Sequence, residues 1–380
     1  MIFDYETLKL IWWLFVGVLL IGFALTDGFD MGAGTLLPFL GRDDTERRVI
    51  INTVGPHWDG NQVWFILAGG ALFAAWPLVY AAAFSGLYVA LLLVLFALFF
   101  RPVGFDYRGK LDDPRWRGTW DWLLFVGSAV PALVFGVAFG NLLLGLPFQL
   151  DADLRSSYEG GFFGLLHPFA LLTGLVSVAM LVMHGAAYLQ FRTAGDLAER
   201  AGRAGRTAAG VMMAGFVGAG LWLALGIDGL RITAMPDPNT AFNPLRKTVE
   251  PMAGAWLANY GRAPLTVLAP LLGLGGAGLM VLFSRAGRPG AAFVASGAAI
   301  VGVIFTAGIS LFPFILPSSI DPGSSLTIWD ATSSHFTLTV MFWATLIFLP
   351  IILAYTFWAF RVMRGKVTVE QVQTDTHNLY

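Results

Sequence analysis

The chain has 380 residues, of which 57% are hydrophobic and 12% charged, and its formal net charge is −1. Soluble domains carry about 25% charged residues, so a water-soluble fold of this size could not cover its apolar surface, and lipid is the place left for it. The balanced charge gives no sign of a nucleic-acid partner, and the lack of cysteine excludes disulfides, Fe–S clusters and thiolate metal sites.

Taken in chain order, nine apolar stretches are long enough to cross a hydrocarbon core of about 30 Å. They predict an all-α integral membrane protein, a single membrane domain over 1–380. Its spans lie near 10–26, 51–75, 81–100, 122–144, 162–189, 207–227, 265–283, 291–316 and 336–360. The first stretch lacks a basic leader and a small-residue cleavage site, so it reads as a retained helix. The sixth is rich in Gly and Ala, which suits close helix packing in a membrane. The longest connection, 228–264, contains Pro236, Pro238, Pro244 and Pro251 and is expected to form an outward-facing loop over the bundle.

Lys and Arg set the expected orientation. Of the 23 basic residues, 17 fall on one side, in the connections after the odd-numbered spans and in the tail from Arg361. Trp116, Trp120 and Trp122 beside Arg115 and Arg117 read as an interfacial anchor on that side. The amino terminus is therefore expected outside and the carboxyl terminus in the cytoplasm.

Ionisable groups inside spans are costly and need a partner or a purpose. The second span holds the densest set, Gly55-Pro56-His57-Trp58-Asp59-Gly60-Asn61-Gln62-Val63-Trp64. At 1.5 Å per residue Asp59 is expected roughly 12 Å into that span. Helical spacing puts His57, Asn61 and Trp64 on one face, with Asp59 and Gln62 pointing about the opposite way. Such a helix is surrounded by protein or water. It either forms a hydrogen-bonded knot or lines a proton or ion path.

The first span is expected to end at Thr26-Asp27-Gly28-Phe29-Asp30-Met31-Gly32, with Asp27 and Asp30 sharing a face. Two carboxylates at a helix carboxyl end need a cation. Arg101, expected to end the third span, is the candidate partner, and Asp106 follows it. The cluster reads either as a structural ion pair or as a relay in which Asp27, Asp30 and Asp106 gather protons and Asp59 carries them inward. His57 and His184 lie at depths that allow haem ligation, as do His167 and His335 at the other end, though hydrogen-bonded structural histidines explain all four. In the segment 325–334 that follows the eighth span, Asp330 or Thr332 is expected to cap a helix leading into the ninth. No nucleophile–base pair, phosphate loop or clustered metal-ligand motif occurs, which argues against an ordinary hydrolase or kinase.

Several of these segments carry a resemblance. They include Ile11-Trp12-Trp13-Leu14, Thr26-Asp27-Gly28-Phe29-Asp30-Met31-Gly32, Pro56-His57-Trp58-Asp59-Gly60-Asn61-Gln62-Val63-Trp64 and Phe100-Arg101-Pro102-Val103-Gly104-Phe105-Asp106-Tyr107. Gly69-Gly70-Ala71-Leu72-Phe73-Ala74-Ala75-Trp76-Pro77, Phe135-Gly136-Val137-Ala138-Phe139-Gly140-Asn141 and Ser325-Leu326-Thr327-Ile328-Trp329-Asp330-Ala331-Thr332-Ser333-Ser334 extend it along the whole chain. In this order they resemble subunit II of the cytochrome bd-type quinol oxidases.

The resemblance implies two four-helix bundles plus one peripheral helix, in a heterodimer with subunit I in a bacterial inner membrane. It implies oxidation of quinol and reduction of dioxygen to water, with haem b, haem d and the quinol-oxidation site on subunit I. This chain would hold no haem or catalytic residue. It would contribute to cytoplasmic proton uptake through Asp59 and Asp106, with Trp64 near an oxygen or quinone entrance. A structural quinone and small accessory subunits also belong to the expectation. Three other readings compete: a proton-coupled membrane carrier, whose sign would be broken helices meeting at mid-membrane, a dihaem cytochrome built on His57 and His184, and a scaffold for the partner.

Overall fold

The computed structural model describes residues 3–374. α1 (Tyr5–Leu40) is a single helix of 36 residues, started by Asp4, whose carboxylate accepts the Thr7 N–H at 2.8 Å. It runs 14 residues past the predicted end of the first span, so Asp27 and Asp30 lie in its middle and not at its carboxyl end. The dipole argument for their cation therefore does not apply. What demands a cation is burial: both carboxylates are shut off from solvent.

The predicted second span is broken. α2 (Asp44–Val54) is a short helix capped by Asp43, and α3 (Trp58–Ala75) begins only after the turn Gly55-Pro56-His57. Pro56 has no N–H to continue a helical ladder, so chain direction changes there. Asp59 is thus the second residue of α3 and is exposed, not deep in a continuous span. A second break follows. Pro77 starts α4 (Pro77–Gly86), which is bent by 120° from α3, and the predicted third span straddles the next junction at Leu87. The crossing helix is α5 (Tyr88–Tyr107), which continues through Arg101 and Pro102.

The remaining spans lie close to expectation. They are α6 (Pro114–Leu144), α7 (Pro168–Arg192), α8 (Gly195–Gly226), α10 (Leu268–Arg285), α11 (Pro289–Leu311) and α12 (His335–Val362). The minor helices are α9 (Ala258–Arg262) before α10 and α13 (Val369–Thr374) after α12. Among the described residues eight helices are long and apolar enough to cross a membrane, and the count is nine where the bent α3–α4 pair is taken as one span.

α7, α8, α10 and α11 pack as one four-helix bundle, and α1, α3, α5 and α6 as the other, joined where α1 and α6 pack on α7. Only 6% of the most apolar stretch of α12 is buried, so it is the peripheral helix. Glycine lets the helices approach. A Cβ on Gly32 would collide with the carbonyl of Leu181, and one on Gly185 would lie 2.5 Å from the Ala33 nitrogen. The same device joins α10 to α11, where a Cβ on Gly276 would lie 2.5 Å from the Ala299 nitrogen.

Three two-stranded antiparallel hairpins lie at the end of the bundle where α1 starts. They are β1 (Phe148–Leu150) with β2 (Ser156–Tyr158), β3 (Asp228–Ala234) with β4 (Thr248–Ala253), and β5 (Phe314–Leu316) with β6 (Leu326–Thr327). The predicted 228–264 loop is therefore an ordered hairpin followed by short helical turns. The predicted eighth span is shortened for the same reason, since its last residues form β5. Lys9 of α1 ties this cap down, donating to the carbonyls of Pro238 at 2.7 Å and Trp329 at 2.6 Å.

Candidate functional site

A buried polar pocket lies where α1, α3, α5 and α7 meet. Asp27 and Asp30 project from adjacent turns of α1. Arg101 reaches across from α5 and binds Asp27 through Nη1 at 2.8 Å and Nη2 at 2.5 Å. The same guanidinium is 4.0 Å from Asp30. Asn61 of α3 donates through Nδ2 to Asp30 Oδ2 at 2.8 Å. His57, the residue before α3, stands 3.9 Å from Asp30 Oδ1 through Nδ1, and its Nε2 is 3.0 Å from the Tyr188 hydroxyl. Tyr188 of α7 donates to the Thr53 carbonyl at 2.8 Å, satisfying one of the carbonyls left open where α2 ends.

Aromatic rings seal the pocket. Phe29 stacks on Tyr188 with centroids 4.1 Å apart, and Phe360 at the end of α12 lies 5.0 Å from the His57 ring. Each charge in the pocket is therefore screened little by water, and its energy depends on its neighbours. The carboxyl tail docks nearby, with Val372 buried against the same core as Ile50 and Leu36.

The residues singled out from sequence separate into two sets. Asp27, Asp30, His57 and Arg101 come together, and Asn61 and Trp64 share their buried side of α3 as helical spacing predicts. Asp59 and Asp106 do not join them: both are exposed, on the outer faces of α3 and α5. Trp64 packs against α1, where a Cβ on Gly22 would lie 2.6 Å from its ring.

Sequence reasoning passed over Tyr188, although it follows His184 by one helical turn and is a polar residue in an apolar run. It also read Arg47, Arg108, Arg117 and Asp121 only as charges for topology or not at all. Asp121 is buried and accepts from Arg108 Nε at 2.6 Å and Arg47 Nη1 at 2.9 Å, while Asp44 accepts from Arg108 and Arg117 at 2.9 and 2.8 Å. This network fastens α2 and the α5–α6 turn at one rim of the bundle.

The four described histidines are poor haem ligands as they stand. His184 uses Nδ1 on Ser296 at 2.8 Å and Nε2 on the Leu25 carbonyl at 3.0 Å. The Phe29 ring lies between it and His57, at 6.1 and 5.6 Å. His167 caps α7 by accepting the Phe169 N–H, and His335 bonds the Phe3 carbonyl. Among the described residues no group of three or more His, Asp or Glu side chains could hold a metal ion. Asp330 and Thr332 do not cap α12; Ser334 does, accepting the Thr337 N–H at 3.1 Å. Asp330 instead forms a fully buried ion pair with Lys247 at 2.9 Å.

A cleft of about 1370 Å³ opens beneath the α3–α4 bend. Its walls are almost wholly apolar, with Trp13, Phe65, Phe73, Phe84, Phe135 and Phe139 prominent, and Tyr80, Ser85 and Tyr88 supplying the few hydroxyls.

Comparison with known proteins agrees along the whole chain. The model of the family described as cytochrome bd terminal oxidase subunit II matches residues 8–363. The cytochrome bd-I ubiquinol oxidase subunit 2 of Escherichia coli strain K12 is 56% identical over 99% of this chain and 100% of its own length. A probable cytochrome oxidase subunit 2 of Haemophilus influenzae is 50% identical over the same shares, and the cytochrome bd ubiquinol oxidase subunit 2 of Bacillus subtilis is 34% identical over 96% and 98%. A chain of the solved bd oxidase from Geobacillus thermodenitrificans shares the fold, with a TM-score of 0.70 over 94% of this chain and 98% of that one at 16% identity. With a full-length family match, relatives well above 30% identity and the same helical architecture, the chain belongs to the cytochrome bd terminal oxidase subunit II family.

Proposed function

We propose that this chain assembles with a haem-bearing subunit I in a bacterial inner membrane and supports quinol oxidation by dioxygen from the side of proton supply. The observation that carries this reading is the match to the oxidase subunit over residues 8–363. Haem b and haem d belong to the partner, where the redox chemistry takes place. His57, His167, His184 and His335, committed to hydrogen bonds, support that division. Small accessory subunits complete the complex.

In this reading the rim with α2 and α13 faces the cytoplasm, the hairpin cap faces outward, and the amino terminus is outside. The excess of Lys and Arg near the first rim supports that orientation. Asp59 and Asp106 on outer faces suit a proton route at the seam with the partner, because a carboxylate facing lipid would be costly. Asp27, Asp30, His57 and Arg101 form its buried flank. The apolar cleft suits the isoprenoid tail of a structural quinone, and Trp64 stands beside Phe65, which lines it. The carrier reading has one broken helix in its favour, at Trp76. A carrier of that type has paired breaks facing a central site, and the subunit-II match weighs against it.

Purification of the tagged chain from native membranes in mild detergent tests the assignment. The expected result is a second large membrane subunit that retains all the haem, with quinol-dependent oxygen consumption by the pair. A colourless chain that purifies alone would overturn it. The Asp59→Asn complex should take up protons and turn over about 10-fold or more slowly, as expected when a positioned proton-transfer group is lost. Unchanged turnover and uptake would remove Asp59 from the route.

A further inference from the structure

The hydrogen bonds around His57 determine where its proton lies. The Tyr188 hydroxyl gives its hydrogen to the Thr53 carbonyl, which can only accept. Toward His57 Nε2, 3.0 Å away, the same oxygen must therefore accept, so Nε2 carries a hydrogen. A neutral imidazole then has a lone pair on Nδ1. The one donor that reaches it is Asn61 Nδ2, at the long distance of 3.5 Å and with its shorter bond, 2.8 Å, already made to Asp30 Oδ2. Nδ1 faces Asp30 Oδ1 at 3.9 Å, and Oδ1 has no hydrogen-bond partner among the described residues although Asp30 is only 1% exposed. Two acceptors face each other in a closed pocket, an arrangement that costs free energy unless a hydrogen comes between them.

Charge points the same way. The groups facing Asp30 and His57 are Asp27 on α1, Arg101 on α5, and Tyr188 and Arg192 on α7; α12 presents only the Phe360 ring. Arg101 is spent on Asp27 by a two-point bond and stands 4.0 Å from Asp30. Arg192 lies behind the Tyr188 ring, 5.7 Å from its centroid, and donates to the Met363 carbonyl. The pocket thus holds two carboxylates against one directly bound guanidinium. A buried carboxylate without a matching cation is strongly disfavoured, and a single proton removes the excess charge.

We propose that Asp30 and His57 together bind one exchangeable proton across the Oδ1–Nδ1 gap, with Tyr188 as the positioning residue that keeps Nδ1 without a hydrogen of its own. As a store on a proton-uptake route, this pair rests on the function proposed above; as a proton-binding site it does not.

Infrared difference spectroscopy of the purified native complex, in H2O and D2O across neutral pH, tests the proposal. The expected signature is a protonated-carboxyl band that shifts in D2O, is lost in Asp30→Asn and survives in Asp59→Asn. Tyr188→Phe should keep the site but weaken that band in favour of carboxylate, because His57 can then carry its hydrogen on Nδ1 and donate to Asp30. A loosened structure alone would not produce that exchange. If Asp30→Asn fails to assemble, the Tyr188→Phe exchange still decides. The proposal is overturned if no deuterium-sensitive carboxyl or imidazolium band depends on Asp30 or His57. If the bands depend on them while proton uptake in Asp30→Asn is unchanged, the shared proton stands and the uptake reading fails.

Discussion

Arg101 of α5 closes on Asp27 of α1 with two parallel hydrogen bonds, Nη1 to Oδ2 at 2.8 Å and Nη2 to Oδ1 at 2.5 Å, and neither side chain is more than 1% exposed. The planar guanidinium matches the carboxylate in a way a lysine ammonium cannot. The pair therefore fixes the height of α5 against α1 as well as neutralising a charge.

Removing the cation should be costly. Arg101→Leu leaves Asp27 and Asp30 buried without it, and breaking a buried pair costs about 3–5 kcal/mol. The expected outcome is little assembled complex in the membrane, measured by yield after mild solubilisation. Arg101→Lys should recover only part of it. Full yield from Arg101→Leu would mean that water reaches the pocket.

The α1–α7 crossing makes a sharper steric prediction. Gly32→Ala places a methyl group against the Leu181 carbonyl, whereas Gly60→Ala meets nothing within 4 Å. Overpacking of this kind costs about 1–3 kcal/mol, so the thermal midpoint of the purified complex should fall for Gly32→Ala. Gly60→Ala, on an open face of α3, should leave the isolated chain's stability unchanged, and any loss it causes should appear only as weaker association with a partner.

At the cap, burial raises the Asp330 carboxyl above its ordinary range, and Lys247 at 2.9 Å only partly opposes it. Lys247→Met leaves that carboxyl without its cation, again a change of about 3–5 kcal/mol if the charge persists. The disruption should stay local. With the cap outward as proposed, proteolysis of intact spheroplasts should cut between β3 and β4 faster in the variant, with sites at the opposite rim unaffected. Unchanged cleavage would show that the carbonyls of Pro238, Thr240 and Trp329, to which Lys9 donates, are sufficient to anchor the cap.

Acid should act at the opposite rim. Burial pushes Glu46 up, but the hydrogen bond from Arg200 at 2.6 Å and the Arg42 N–H at 2.8 Å outweigh it and hold the carboxyl below its ordinary 4.5. A depressed folded value contributes stability that is complete above 4.5 and is lost as pH falls through the lower folded value. The thermal midpoint should therefore drop on acidification below that point, and Glu46→Gln should be less stable at neutral pH with a shallower acid slope. Parallel slopes for the two proteins would show that Glu46 plays no part.

Much of this architecture was legible in the sequence. A run of about 20 apolar residues has one economical solution in lipid, so the membrane class, the number of crossings to within one and most of their positions followed from composition and hydropathy alone. The face shared by Asn61 and Trp64 followed from helical periodicity, and Arg101 was the expected cation for Asp27, though from a helix-dipole argument where burial proved to be the reason. The places where expectation failed share a physical cause. Hydropathy counts apolar residues without registering direction, so it ran the second span through Gly55-Pro56-His57 and the third through Leu87, where the backbone turns. That error placed Asp59 deep in a helix that in fact starts beside it. It also ended α1 14 residues early, because buried aspartates look like a span boundary until their partner is known. Sequence determined that ionisable groups would be held among these helices. Only the tertiary structure decided which ones meet, since the hydrogen bonds linking Asp30, Asn61, His57 and Tyr188 join three helices and a turn whose separation in sequence carries no information about their distance in space.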